Sequence, residues 1–368
     1  MAGSSFGTLF KITTWGESHG RGVGVVIDGC PAGLALSEED IQVYLDRRKP
    51  GQSKYTTKRK ESDTVEILSG VFEGRTTGTP ISLVVYNQDQ RSKDYTNVME
   101  VYRPGHADYT FDSKYGFRDY RGGGRSSGRE TIARVAAGAV ACKILKQMGI
   151  TLFAYTKSIG TISISKEKFQ KEERDKNPLY MPDAKASKEA EKYVEEMMNQ
   201  CDSAGGVVEC IVNGVPAGIG EPVFDKLSAN LAKAICSIGG VKGFEIGDGF
   251  LASHSTGSHN NDAFIQNENG KIKKATNHAG GILGGMSDGS EIVLRVGFKP
   301  TPSIARQQHT VNQQGEEVTV SIKGRHDPLI VPRAVVVVEA MAACTILDLM
   351  LWNMTARLEY IKDFYKRI

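Results

Sequence analysis

No two cysteines stand at CxxC spacing in this 368-residue chain; Cys30, Cys142, Cys201, Cys210, Cys236 and Cys344 are scattered, several in apolar contexts such as AVACKIL and MAACTIL. A zinc ribbon and a dithiol redox motif are thereby excluded, and buried free thiols are favoured over a disulfide framework. No apolar run approaches the roughly 18 residues that suggest a membrane span. The opening segment, 1–16, carries only Lys11 as a charge and lacks an apolar stretch with a small-residue cleavage site, so no secretory signal is read and the cytoplasm is the expected location. A net charge of +3 does not by itself call for a nucleic acid. With 40% hydrophobic and 24% charged residues the composition is that of a globular, soluble protein.

The distribution of charge says more than its sum. Seven of the fourteen residues from Arg47 to Lys60 are basic, and Arg103, Arg118, Arg121, Arg125 and Arg129 form a second group. Such clusters repel unless water solvates them fully or an anion lies among them, and a polyanionic ligand resolves the repulsion.

Val23–Ile27 reads as a strand, followed by the turn signal GCPAG and a helix capped by Ser37 with Asp40 three residues on, running to about Arg48, where Lys49, Pro50 and Gly51 stop it. Thr64–Leu68, Ile81–Tyr86, Val207–Val212 and Glu291–Phe298 have the branched content of strands, and 87–97 is a polar loop. Glu130–Met148 is the clearest helix: Ile132, Val135, Ala136, Ala139, Val140, Ile144 and Met148 recur at helical spacing, and its alanines imply close packing on another element. Asp225–Ile238 and Arg333–Leu351 also read as helices, and the charged stretch 166–188 as a surface excursion leading into an amphipathic helix near Glu189–Met198. Without the regular alternation of a doubly wound sheet, the fold class is α+β, as one domain over 1–368.

Several segments carry candidate chemistry. Gly16-Glu17-Ser18-His19-Gly20 formally satisfies GxSxG, but only fifteen residues precede it, too few for the strands a nucleophile elbow requires. Its glycines let the backbone approach a ligand, and Ser18 beside His19 supplies a hydroxyl and a group titrating near neutrality. RGGGRSSGRET, Arg121–Thr131, sets glycines, serines and arginines at a helix start, which is either an anion site or a solvated loop. It fits neither a phosphate-loop nor a dinucleotide fingerprint. His106 lies in RPGHADYT behind a Pro104-Gly105 turn, and KPTPS, 299–303, reads equally as a phosphate clamp or a strand end. His254, His259 and Asp262 lack a convincing ligand spacing, so no metal is expected. A serine hydrolase using Ser18, or an RNA-binding surface built on the basic loop with Tyr102, Tyr109, Tyr115 and Tyr120, are the rival readings.

The wording and order of GESHG, RPGHADYT, YRGGGRSSGRET, EIGDGF, GGILGG, KPTPSI and GRHDP, from near the first residue to the last long helix, resemble the chorismate synthase family. That resemblance implies a β-α-β sandwich with helices packed between sheets, assembled as a homotetramer with no nucleic-acid or membrane partner. It also implies elimination of phosphate from 5-enolpyruvylshikimate 3-phosphate with reduced FMN, and NADPH as a candidate reductant source. On the family pattern His19, with Ser18 beside it, protonates the departing phosphate, His106 supplies a proton to the flavin near N1, and Asp327 is the base towards N5. Arg125, Ser126, Ser127, Gly284, Lys299, Pro300, Thr301, Pro302, Ser303 and Arg325 match flavin-contacting positions. Gly239 and Gly240 stand where the family often has Asn-Ala, and Pro302 where it often has Ser. Arg48 and Arg129 match substrate-binding positions, and Lys54 falls where many members have Arg, keeping the charge but losing the bidentate fork.

Overall fold

The computed structural model describes residues 3–57, 61–88, 98–266, 268, 270, 272–322 and 327–366. Two antiparallel five-stranded sheets form its outer layers. In the first the strands lie side by side in the order Ser5–Phe6, Lys11–Gly16, Gly22–Asp28, Ile81–Tyr86 and Val65–Ser69. Alternation sends Val23, Val25 and Ile27 inward, where each is fully buried, and pairing sets Ile12 opposite Ile27 and Val25 opposite Leu83. The second sheet runs Val241–Ile246, Ile292–Phe298, Gly206–Asn213, Thr151–Ile159 and Ile162–Ser163. Here Val208, Cys210, Val212, Leu294 and Val296 face the core with no exposure.

Two long helices fill the space between. Thr131–Gln147 packs on the first sheet and Val331–Asn353 on the second, and they pack on each other. They come together tightly at Gly138, where a methyl group would fall 2.2 Å from the Ala340 Cβ. Small residues are thus required at the contact, the reason for the alanine-rich pattern. The Val331–Asn353 helix is long and apolar enough to cross a membrane, which no uninterrupted apolar run in the sequence suggests, but 89% of its most apolar window is buried inside the protein. Each Val or Leu buried there contributes about 1.5–3 kcal/mol. Its two core carboxylates are both partnered. Glu339 accepts both Nη atoms of Arg47 at 2.9 and 3.0 Å, and Asp348 accepts the backbone N–H groups of Thr8, Leu9 and Phe10.

The flanking elements obey their local signals. Asp40 accepts the Ser37 N–H at 3.0 Å and starts the helix Glu38–Arg48, which ends in Arg47 and Arg48. Asp183 caps Ala184–Asn199 through the N–H groups of Lys185 and Ala186. The charged stretch before it does more than skirt the surface: Phe169 sets its ring against Tyr155 at 5.3 Å, and Arg174 lies over Phe153 at 4.4 Å, covering the outer side of the second sheet.

The fold thereby gathers the motifs at element ends. GESHG follows the strand Lys11–Gly16, Asn87 follows Ile81–Tyr86, KPTPS follows Ile292–Phe298, Arg129 precedes one core helix and Asp327 precedes the other.

Candidate active site

The turn after Gly16 brings Ser18, only 3% exposed, beside His19, with Oγ and Nδ1 3.0 Å apart. Gly122 lies over this pair in the left-handed region, φ +84°, and a methyl group there would sit 2.6 Å from the His19 Nδ1 and 2.9 Å from the Ser18 Oγ. The first glycine of the triple is therefore required by contact with the histidine as well as by its backbone. Arg125 is turned to the protein: its Nη1 donates to the Gly16 carbonyl at 2.9 Å and its Nη2 to the Thr14 Oγ1 at 2.6 Å. Ser126 donates to the Gly123 carbonyl at 2.6 Å, and the Ser127 Oγ accepts the Arg129 N–H at 3.3 Å. The loop is folded on its own polar groups and stapled to the end of the first sheet.

Next to it Arg48 and Arg129 meet across one carboxylate. Asp63 Oδ2 accepts from the Arg48 Nη2 at 2.7 Å and Oδ1 from the Arg129 Nη1 at 3.0 Å, with no exposure of the Asp63 side chain. Arg129 also pairs with Glu61 at 3.5 Å and donates its Nε to the Asn87 Oδ1. Arg48 donates further to the Gly128 carbonyl and the Thr131 hydroxyl. Burial, opposed by Asp63, lowers the Arg48 guanidinium to about 10, so it stays cationic at neutral pH. Burial raises the Asp63 carboxyl, but Arg48 and Arg129 outweigh it and hold the group below the usual carboxylate range.

Asp327 belongs to the same network. Its Oδ2 pairs with the Arg333 Nη1 at 2.6 Å, its Oδ1 accepts the Thr57 N–H at 2.8 Å, and the Arg333 Nε donates to the Arg48 carbonyl at 3.0 Å. Arg325 lies outside the described residues, as do Lys58, Arg59 and Lys60 of the basic loop. Lys54 is directed elsewhere, to Glu195 at 2.6 Å on an exposed surface, where that carboxylate and Tyr55 raise its pKa.

The second histidine has its own partners. The His106 Nδ1 lies 3.0 Å from the Pro104 carbonyl, which can only accept, so Nδ1 carries a proton. Its Nε2 then accepts from the Ser303 Oγ at 2.7 Å whenever the ring is neutral. Lys299 Nζ donates to the Gly105 carbonyl at 2.8 Å, and its backbone N–H to the Gly240 carbonyl at 2.9 Å. A methyl group on Gly105 would press on Pro302 at 2.9 Å. RPGH and KPTPS are therefore one unit with Gly240. Burial and Lys242 lower the Lys299 ammonium. Thr301 Oγ1 is buried without a hydrogen-bond partner, and Gly239 has open space where a side chain would stand.

The two halves are joined by residues no motif marks. Ser203 donates to the Thr301 carbonyl at 2.7 Å, Ala204 N–H to the Pro328 carbonyl at 3.0 Å, and Ile330 lies 3.1 Å from a Cβ placed on Gly240. Gly284, in the turn between Ile282–Leu283 and Met286–Ser287, has among the described residues only Met286 near its Cβ direction. Asp262 is committed to Lys274, Thr276 and the His278 and Ala279 N–H groups. Asp63, Glu61, Asn87, Ser203 and Arg333 are the residues that sequence reasoning misses; each acts through a partner distant in the chain.

A sandwich whose element ends collect arginines, two histidine–hydroxyl pairs and a carboxylate is the frame of an enzyme for an anionic small molecule. A family model described as chorismate synthase matches residues 10–351. Proteins named chorismate synthase are 65% identical in Lachnoclostridium phytofermentans and 64% in Agathobacter rectalis, each alignment covering 100% of both chains, and 53% in Chloroflexus aggregans over 98% of both. A crystal structure of chorismate synthase superposes with a TM-score of 0.74 at 32% identity, covering 97% of this chain and 96% of the other. The chain belongs to the chorismate synthase family, which are lyases.

Proposed function

We propose that the chain converts 5-enolpyruvylshikimate 3-phosphate to chorismate by anti-1,4 elimination of phosphate, with reduced FMN bound, as a single folding unit. The observation that carries this reading is that the turn holding His19 and Ser18 is joined through Asn87 to the Arg48–Asp63–Arg129 cluster, while the other histidine, His106, stands on the KPTPS unit. A phosphate ester leaving as an anion needs a proton donor and cations together, and the first group supplies both chemistries. His19 is the proton donor to the departing phosphate, and Arg48 and Arg129 hold substrate anions.

The second group fits a phosphorylated flavin. Lys299 and the Thr301 hydroxyl, which has no hydrogen-bond partner among the described residues, offer donors to a phosphate, as does Ser303 once the His106 Nε2 is protonated, and no described atom lies within 4 Å of a Cβ placed on Gly239. Bound there, reduced flavin supplies electron density for the carbon–oxygen cleavage. His106 would supply a proton from Nε2 when its ring is cationic, and Asp327, oriented by Arg333 and Thr57, would accept one. NADPH as the source of reducing equivalents and a cytoplasmic location belong to the same reading. The C-terminal helix Leu358–Tyr365 leaves Leu358, Tyr360, Ile361, Phe364 and Tyr365 exposed, which supports assembly into a homotetramer.

The test is anaerobic turnover with chemically reduced FMN. Phosphate and chorismate should appear together, and oxidised FMN alone should yield neither. Equal turnover with no flavin would refute the reading.

A further inference from the structure

Asn87 follows the strand Ile81–Tyr86 directly, and its backbone N–H donates to the Arg21 carbonyl at 3.0 Å. Its side chain joins two parts of the site that are far apart in sequence. Nδ2 donates to the Glu17 carbonyl at 2.9 Å and to the Gly20 carbonyl at 2.8 Å, so one amide closes the turn that contains Ser18 and His19. Oδ1 accepts from the Arg129 Nε. Turning the amide over would set an oxygen against two carbonyls and an NH2 against a guanidinium N–H, so the orientation is fixed by its partners.

We propose that Asn87 is a positioning residue that holds the His19 turn and the Arg129 guanidinium in one fixed relation. The inference rests on the roles given above to His19 and Arg129. A leaving phosphate must lie within reach of its proton donor while its charge is held by the arginine. A displacement of about 1 Å between the two costs on the order of 10²-fold in rate. Arg129 is otherwise held by Asp63 and Glu61 through its Nη atoms, which leaves rotation of the guanidinium plane to be set at Nε, the Asn87 contact. No other side chain hydrogen-bonds both units among the described residues.

Two substitutions separate the two holds. Asn87→Ala removes both. Asn87→Asp keeps an acceptor for Arg129 but turns a carboxylate oxygen towards the Glu17 and Gly20 carbonyls, so the turn is released while the arginine stays held. The measurements are calorimetric titration of 5-enolpyruvylshikimate 3-phosphate into protein with oxidised FMN, and kcat with reduced FMN, each with a urea melt. Asn87→Ala should bind substrate roughly 10-fold more weakly, the scale of one charge-assisted hydrogen bond, and lose on the order of 10²-fold in kcat. Asn87→Asp should bind within about threefold of wild type and lose kcat to the same degree. Wild-type kcat and affinity in both variants, whatever their melting behaviour, would overturn the proposal, and so would an Asn87→Asp enzyme with wild-type kcat. If Asn87→Ala does not fold, the isosteric Asp variant still decides the turn. Failure of the wild type to turn over substrate would count against the proposed reaction alone, because the affinity comparison still reads the hold on Arg129.

Discussion

Replacing Asp63 by Asn should be among the most damaging isosteric changes in the protein. Its carboxylate is fully buried and divides its oxygens between Arg48 at 2.7 Å and Arg129 at 3.0 Å. Arg48 is itself 1% exposed. An amide keeps one acceptor, so one guanidinium loses its partner and faces an NH2 group, and the charge of both arginines is no longer offset by Asp63. Breaking a buried pair costs about 3–5 kcal/mol. The lower end applies, because Arg48 keeps the Gly128 carbonyl and Arg129 keeps Glu61 and Asn87. About 3 kcal/mol should therefore be lost at pH 7, read as a lower urea midpoint at unchanged slope. The pH dependence follows from the direction of the shift. Because the folded Asp63 carboxyl lies below its unfolded value of ~3.9, its contribution is complete above that pH and disappears as pH falls through the depressed folded value. The gap between wild type and Asp63→Asn should thus be constant from pH 7 to 5 and narrow below about pH 4. A gap under about 1 kcal/mol at pH 7 would refute the reasoning, since that is the range of an exposed pair.

His19→Ala and His106→Ala should each lower turnover by roughly 10²-fold or more with little change in melting, since both histidines sit in loops; wild-type rates in both at every pH would sink the assigned roles. Gly138→Ala gains up to ~1 kcal/mol of helix propensity but drives a methyl into Ala340, and thermal melts should show a net loss of about 1–2 kcal/mol. Asp327→Asn should bind FMN and substrate within about tenfold of wild type while kcat falls by ~10²-fold; full activity at saturating flavin would leave Asp327 a structural partner of Arg333.

Elements with a regular apolar period are the ones legible in the sequence. Ile81–Tyr86 can be read to the residue, and Thr131–Gln147 within a residue at each end, because alternation or helical spacing of apolar side chains mirrors what each buries. Lys11–Gly16 is hidden because two of its inward positions, Ile12 and Thr14, mix an apolar with a hydroxyl side chain. Val241–Ile246 carries Lys242, Gly243 and Glu245 and exists through its pairing with Ile292–Phe298, a tertiary fact. Ala184–Asn199 begins five residues before the amphipathic pattern suggests, since the Asp183 cap and not the pattern sets its start. Core carboxylates such as Glu339 interrupt an otherwise apolar helix, and nothing local announces that Arg47 will meet one of them.

The candidate site shows the same limit in its charges. Read along the chain, the two basic groups call for an anionic ligand to relieve their repulsion. In space most of those cations already have internal partners: Arg47 has Glu339, Arg48 and Arg129 share Asp63, Arg103 and Arg118 meet Asp108 and Asp112, and Arg121 meets Asp119. Basic clustering in sequence is thus weak evidence for a ligand, because a long arginine side chain reaches carboxylates from any neighbouring element. The stronger evidence lies where internal pairing fixes a fork without using all of it. Among the described residues Arg129 commits its Nε, one direction of its Nη1 and a long 3.5 Å contact at Nη2, which leaves two N–H directions without a described partner. A carboxylate holding an arginine from one side aims its remaining donors at the other. On this argument the acidic residues 61 and 63 are part of the anion site, and removing them would weaken binding of an anionic substrate even though it makes the protein more positive.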